Sequence, residues 1–154
     1  MHPPYVAVVG PSQPDHAGTT EAAREAGRLL ADLGYVVVTG GLGGVMAAAA
    51  LGASEAGGTT VAILPTADRG DAAPGNTVVI PTGMGEMRNA LVVRTADAVL
   101  AIGGAWGTLS EIALAARTGV PVFAVDSWDL PGPEVVACET VVDAVASLAA
   151  ALGR

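Results

Sequence analysis

Six short apolar runs, separated by longer helical patterns, leave few folds open to this chain. Tyr5–Val9, Tyr35–Thr39, Thr60–Leu64, Asp97–Ile102 and Val120–Val125 are strand-length segments, and Thr77–Pro81 is a shorter one. They are continuously apolar rather than alternating, which is the pattern of parallel strands covered on both faces. Thr19–Leu33 reads as a helix between the first two. Ala22, Ala26, Leu29, Leu30 and Leu33 fall on one face, Glu21, Arg24, Glu25, Arg28 and Asp32 on the other, and Gly34 stops it. Val45–Ala56, Glu86–Thr95 and Thr108–Thr118 are further helices, and Val141, Val145, Leu148 and Leu152 have helical spacing. Repeated strand–helix units with short connections predict an open, doubly wound α/β domain with a mostly parallel sheet. No linker, repeat or low-complexity segment interrupts residues 1–154, so one domain is expected.

Charge and composition remove several functions. The chain has 15 acidic residues, seven arginines, no lysine and a net charge of −8. Nucleic acid and anionic membrane surfaces both call for a basic face. Schiff-base chemistry, including attachment of pyridoxal phosphate, needs a lysine amine, and so does a Walker-type phosphate loop. Cys138 is the lone cysteine and reads as a small buried hydrophobe, with no disulfide or cysteine-rich zinc site. His2 and His16 lie in separate polar segments, so no metal site is expected. No leader-like segment opens the chain and no apolar run reaches membrane length, which leads to the expectation of a cytoplasmic protein.

Two glycine-rich loops each follow a strand and open a helix. One is Gly40-Gly41-Leu42-Gly43-Gly44-Val45-Met46 and the other is Gly103-Gly104-Ala105-Trp106-Gly107-Thr108. Glycine permits close backbone approach, and the helix start behind each loop offers unpaired N–H groups to an anion. Gly10-Pro11-Ser12 is a third loop at a strand end. Ligands in such sheets bind beyond the carboxyl ends of the strands. A nicotinamide cofactor fits poorly, because Met46 replaces the last glycine of G-x-G-x-x-G. In addition, Gly57-Gly58-Thr59-Thr60 supplies no acid for a ribose.

The order of Gly40–Met46, Ile63-Leu64-Pro65, Asn76, Thr82-Gly83-Met84-Gly85-Glu86-Met87-Arg88-Asn89 and Gly103–Glu111 resembles the LOG superfamily of Rossmann-like proteins, whose members once carried a lysine-decarboxylase label. The resemblance runs from about residue 5 to residue 125. It is strongest to the molybdenum-cofactor-carrier-like branch. The cytokinin-activating branch cleaves the N-glycosidic bond of nucleoside 5′-monophosphates and carries M-x-x-R-K and P-G-G-x-G-T-x-x-E. Its arginine and glutamate correspond to Arg88 and Glu111, but Asn89 replaces its lysine and Ile102 its proline. The ligand implied is molybdenum cofactor or a nucleotide, with no cofactor required by the sequence itself. The ligand-binding set is then Gly10, Ser12, Gly40, Gly41, Gly43, Gly44, Met46, Gly83, Arg88, Asn89, Gly103, Gly104, Trp106, Gly107, Thr108 and Glu111. Arg88 and Glu111 are the catalytic pair if the protein is an enzyme.

Several of these residues have a second reading. Thr108-Leu109-Ser110-Glu111 is also a capping box, in which Glu111 would reach back to the Thr108 amide. Arg88 stands near a helix start, where a cation is unfavourable and an anionic ligand would compensate. Trp106 either stacks on a flat heterocycle or wedges against a neighbouring subunit. The Val45–Ala56 helix has almost no polar face, so a subunit interface is expected to give it a second cover in a homodimer or homotetramer. Binding of a phosphorylated heterocycle is the first functional reading and phosphoribohydrolase activity the second. A DNA-binding relative is the third, disfavoured by the acidic charge and the lack of lysine.

Overall fold

The computed structural model describes residues 2–153. Seven strands form one parallel sheet: β1 (Tyr5–Val9), β2 (Val36–Thr39), β3 (Thr60–Leu64), β4 (Val78–Pro81), β5 (Ala98–Ile102), β6 (Val122–Val125) and β7 (Val135–Cys138). Their order is β4-β3-β2-β1-β5-β6-β7. The five helices are α1 (Ala17–Asp32), α2 (Val45–Glu55), α3 (Arg88–Thr95), α4 (Trp106–Thr118) and α5 (Val141–Ala151). The doubly wound α/β architecture expected from the apolar runs is therefore present, with every strand pair parallel.

The sheet is buried on both faces, which is why its central strands needed no polar alternation. On one face Val6, Val8, Val37, Leu100 and Val125 pack with residues of α1, α2 and α5. On the other, Ala7, Val9, Val38, Val99 and Ala124 pack with Val92 and Val93 of α3 and Ile112 and Ala115 of α4. β7 has no counterpart in the sequence pattern. It is a four-residue edge strand following Pro131 and Pro133, and its middle residues are exposed, so no continuous apolar run marks it.

The α2 helix finds two covers within the chain. Its apolar surface is covered within the chain by the sheet and α1, so a subunit interface is not needed to explain it. Ala49 is fully buried, and the outward residues are Ala47, Leu51, Ser54 and Glu55. Contact with α1 is backbone to backbone. A Cβ on Gly27 would stand 2.0 Å from the Ala49 carbonyl oxygen, and one on Gly52 would stand 1.9 Å from that of Arg24. Arg24 and Glu55 then close the outer side of the helix pair with an ion pair.

These contacts reverse the usual effect of replacing glycine in a helix. On an open helix, alanine is worth about 1 kcal/mol more than glycine. Here Gly52→Ala forces the two helices apart, and overpacking of this kind typically costs ~1–3 kcal/mol. Thermal unfolding of Gly52→Ala and Gly27→Ala should show both melting several degrees below wild type. A raised Tm in either would contradict the close crossing.

Candidate functional site

The strand order reverses between β1 and β5, so the carboxyl ends of β2, β1 and β5 surround the topological switch point where ligands enter such sheets. The loops there are held at backbone contact. A Cβ on Gly10 would lie 2.3 Å from the Ile102 carbonyl oxygen and 2.7 Å from the Val45 side chain. Gly44 has φ of +63°, and a Cβ there would lie 2.4 Å from the Pro11 carbonyl oxygen. The Val45 amide donates to that same carbonyl at 3.1 Å. The first glycine loop is thus docked on the turn after β1.

Helices α1, α2 and α4 begin at these three strand ends, with His16, Gly44 and Ala105 at their N-caps. None of the three caps provides a side-chain hydrogen bond, and none of the three first turns contains an acid. Farther along the same edge, α5 has both: Thr140 accepts from the Asp143 amide and Asp143 sits in the first turn. Uncapped helix starts carry unpaired N–H groups and the positive end of the dipole. Three of them around one point make a donor-rich edge in an acidic protein.

The capping-box reading of Thr108 and Glu111 is overturned. Helix α4 starts two residues earlier than the Thr108–Thr118 pattern suggests, so Thr108 lies inside its first turn and Ala105 is the cap. Thr108 is 2% exposed, and its Oγ1 has no partner among the described residues. One turn further, Glu111 is also buried, and among the described residues it accepts no hydrogen bond. Burial pushes its carboxyl up to about 7, against the opposing charge of Arg88. Arg88, the first residue of α3, is buried too. It donates from Nε to the Ile63 carbonyl at 3.0 Å and from Nη2 to the Gly40 carbonyl at 3.3 Å, and it also contacts Asn89 Oδ1. The desolvation of its guanidinium lowers its pKa, with Glu111 and then Glu86 acting against the change. Arg88 therefore ties the ends of β2 and β3 to α3.

The other predicted residues separate into those gathered here and those that are not. Met46 packs against the Gly40–Arg88 contact. Asn89 donates to Ser110 Oγ at 3.3 Å, which joins the starts of α3 and α4. Gly103 lies at the switch point with Gly10, whereas Ser12, Gly43 and Gly107 are exposed on the rim. Gly83 stands away from it, in the turn after β4, where its φ is +66°. Trp106 is not in a loop but in the first turn of α4. It is 78% exposed, with its ring centroid 5.1 Å from that of Trp128. Cys138 is half-buried at the end of β7 rather than in the core. A cavity of about 520 Å3 opens at the switch point, and Asp126, Ser127, Trp128 and Asp129 of the turn after β6 line it. No glycine motif marks that turn in the sequence. The second tryptophan directly after a strand end was its one visible sign.

The sequence profile of the SLOG cluster4 family matches residues 3–149. The chain belongs to this family. An uncharacterized protein of Archaeoglobus fulgidus is 42% identical over 119 residues, 74% of each chain. The molybdenum cofactor binding protein from Rippkaea orientalis has the same fold, with a TM-score of 0.94 at 31% identity over 99% of each chain. The molybdenum cofactor carrier protein of Chlamydomonas reinhardtii gives a TM-score of 0.91 at 31% identity, covering 99% of this chain and 100% of that one. The resemblance to the carrier-like branch is thereby shown. No helix among the described residues is long and apolar enough to cross a membrane.

In this SLOG cluster4 protein the buried carboxyl has a measurable consequence. The folded chain holds the Glu111 proton up to about pH 7, while the unfolded chain releases it near the ordinary glutamate value of 4.5. The unfolded state therefore binds fewer protons between those values, and stability falls as pH rises through that window. The displacement corresponds to on the order of 3 kcal/mol. Wild-type protein should melt at lower temperature at pH 8 than at pH 5, and Glu111→Gln should lose most of that difference. An unchanged pH slope in the variant would show that Glu111 is solvated.

Proposed function

We propose that this protein binds a phosphorylated heterocycle, with molybdenum cofactor as the leading member of that class, at the carboxyl edge of β2, β1 and β5. The observation that carries this reading is the buried Thr108 hydroxyl without a partner, set in an uncapped helix start. A buried hydroxyl without a hydrogen bond is costly unless something supplies one. A phosphate at the start of α4 would take up that hydroxyl and the first-turn amides of Trp106, Gly107 and Thr108 together. The glycine-lined start of α2 offers the same chemistry on the other side of β1. Arg88 offsets anionic charge from behind the loops, and Glu111 accepts a hydroxyl or amine of the ligand. The similarity to solved molybdenum cofactor binding and carrier proteins supports the choice of ligand. A cytoplasmic homodimer or homotetramer belongs to the same reading, with the exposed Leu51 of α2 as one available contact.

A second reading has its own support. A buried carboxyl raised to about 7 beside an arginine is the kind of perturbed group found at catalytic sites. On that basis Glu111 would stabilise the oxocarbenium-like centre formed when the N-glycosidic bond of a nucleoside 5′-monophosphate breaks. Release of adenine from AMP by wild type, absent in Glu111→Gln, would support hydrolysis. Ligand retained unchanged over many hours would support carriage.

Thr108→Val tests the binding reading directly. The substitution is nearly isosteric and removes a polar atom that lacks a partner, so thermal stability should stay level or rise. Affinity for molybdenum cofactor or AMP, measured by calorimetry, should drop about tenfold or more, the scale of a hydrogen bond to a charged group. Equal affinity in the two proteins would remove Thr108 from the site.

A further inference from the structure

The two glycine loops are each braced at a carbonyl. Arg88 Nη2 donates to the Gly40 carbonyl in the first loop. Ser110 Oγ donates to the Gly107 carbonyl at 2.8 Å, in the first turn of α4. Asn89 joins the two donors. Its Oδ1 accepts from Arg88 Nη1, and its Nδ2 donates to Ser110 Oγ at 3.3 Å. Chemistry fixes the direction of each bond. A guanidinium has donors and no acceptor, so the amide turns its oxygen to Arg88 and its nitrogen to Ser110. The serine hydroxyl accepts from that nitrogen and gives its own proton to Gly107. The Gly107 carbonyl shares its peptide unit with the Thr108 N–H. The Leu109 amide donates to the Ala105 carbonyl at 2.9 Å, so the Thr108 amide is the last one ahead of the helix's own hydrogen bonds. It belongs to the residue whose hydroxyl is buried without a partner. From Arg88 onward the donors therefore run head to tail: guanidinium to amide, amide to hydroxyl, hydroxyl to carbonyl, and peptide N–H to an anion ahead of α4.

We propose that Asn89 and Ser110 relay the charge of the buried Arg88 to the Thr108 amide, and that both are positioning residues of the anion site which touch no ligand. The inference rests on the phosphate-binding reading above and supplies the means by which Arg88 strengthens that site. Its Nε, Nη1 and Nη2 are all engaged within the chain, so its charge acts through its hydrogen bonds. Hydrogen bonds aligned in one direction polarise one another, each by ~10–30%. The relay also fixes a peptide plane. A Cβ on Gly107 would meet nothing within 4 Å, so packing does not hold that residue, and a glycine has wide backbone freedom. The Ser110 bond to its carbonyl aims the Thr108 N–H forward. An asparagine suits the middle of the relay because one planar amide accepts at one end and donates at the other.

The test combines calorimetric titration of the full chain with AMP and the amide nitrogen resonance of Thr108 in the ligand-free protein. The variants are Asn89→Ala, Ser110→Ala, their double variant and Ser110→Thr. Ser110 is exposed, so its replacement should leave the melting temperature near wild type. Either alanine variant should bind AMP about three- to tenfold more weakly, the scale of one hydrogen bond. The double variant should be no weaker than the weaker single one, because both break the same relay. Ser110→Thr keeps a hydroxyl that can reach the same carbonyl and should restore both affinity and resonance. The Thr108 resonance should move in Ser110→Ala. It should move in the same direction in Asn89→Ala, although Asn89 bonds neither Gly107 nor Thr108. Losses that add in the double variant would overturn the relay and leave the phosphate site standing. Wild-type affinity in both single variants, or a Thr108 resonance unmoved by Asn89→Ala, would do the same. If wild type binds neither AMP nor inorganic phosphate, the phosphate-binding reading falls and the relay's role falls with it.

Discussion

The contact on which the rest of the structure depends is the approach of the β1 end to the β5 end through Gly10. Any side chain there would collide with the Ile102 carbonyl and with Val45. Because it is absent, the turn after β1 lies down between its neighbours and offers the Pro11 carbonyl to the Val45 amide. That bond sets where α2 starts, and the packed β5 end sets where the turn toward α4 begins. Two helix starts are thus aimed at one place by a single missing side chain. The donors of the candidate site are a by-product of how the sheet closes at its switch point, which is why they cost the fold little extra order.

Behind that edge the protein keeps charge in a poor solvent. Arg88 is buried, yet its donors are used on the carbonyls of Gly40 and Ile63, so its desolvation is partly offset by bonds that brace the loops. Glu111 has no such compensation, and its carboxyl is consequently raised. Thr108 is in the same position with a neutral group. Buried polar atoms left without partners reduce stability. The orphaned Thr108 hydroxyl and the raised Glu111 carboxyl in the first two turns of α4, while α5 begins with a complete cap, mark where the sequence departs from what folding alone would favour.

Much of this was legible in the residues. The continuous apolar runs specified parallel, doubly covered strands, and the glycine loops specified where helices begin, because both follow from local pattern and backbone geometry. Arg88 and Glu111 stood out through the resemblance of their motifs to the family's, and the structure buries both beside the glycine loops. Three features were not. The start of α4 was misplaced by two residues because Thr108-Leu109-Ser110-Glu111 satisfies a capping box locally, while the chain direction leaving β5 makes Ala105 the cap instead. The cover on α2 was assigned to another subunit because the Gly27 and Gly52 contacts that let α1 supply it are long-range. The Asp126–Asp129 turn was missed because a site built from a strand end and a neighbouring loop leaves no periodic or glycine signature in either.

The free amides at the starts of α4 and α2 form the anion site we propose. It is tested most directly by amide chemical shifts followed as AMP is titrated into the labelled protein. The largest shifts are expected at Gly104, Gly107, Thr108 and Met46, with the capped start of α5 at Asp143 unmoved. Large shifts confined to Gly34, Gly57 and Thr59, at the opposite edge of the sheet, would contradict it.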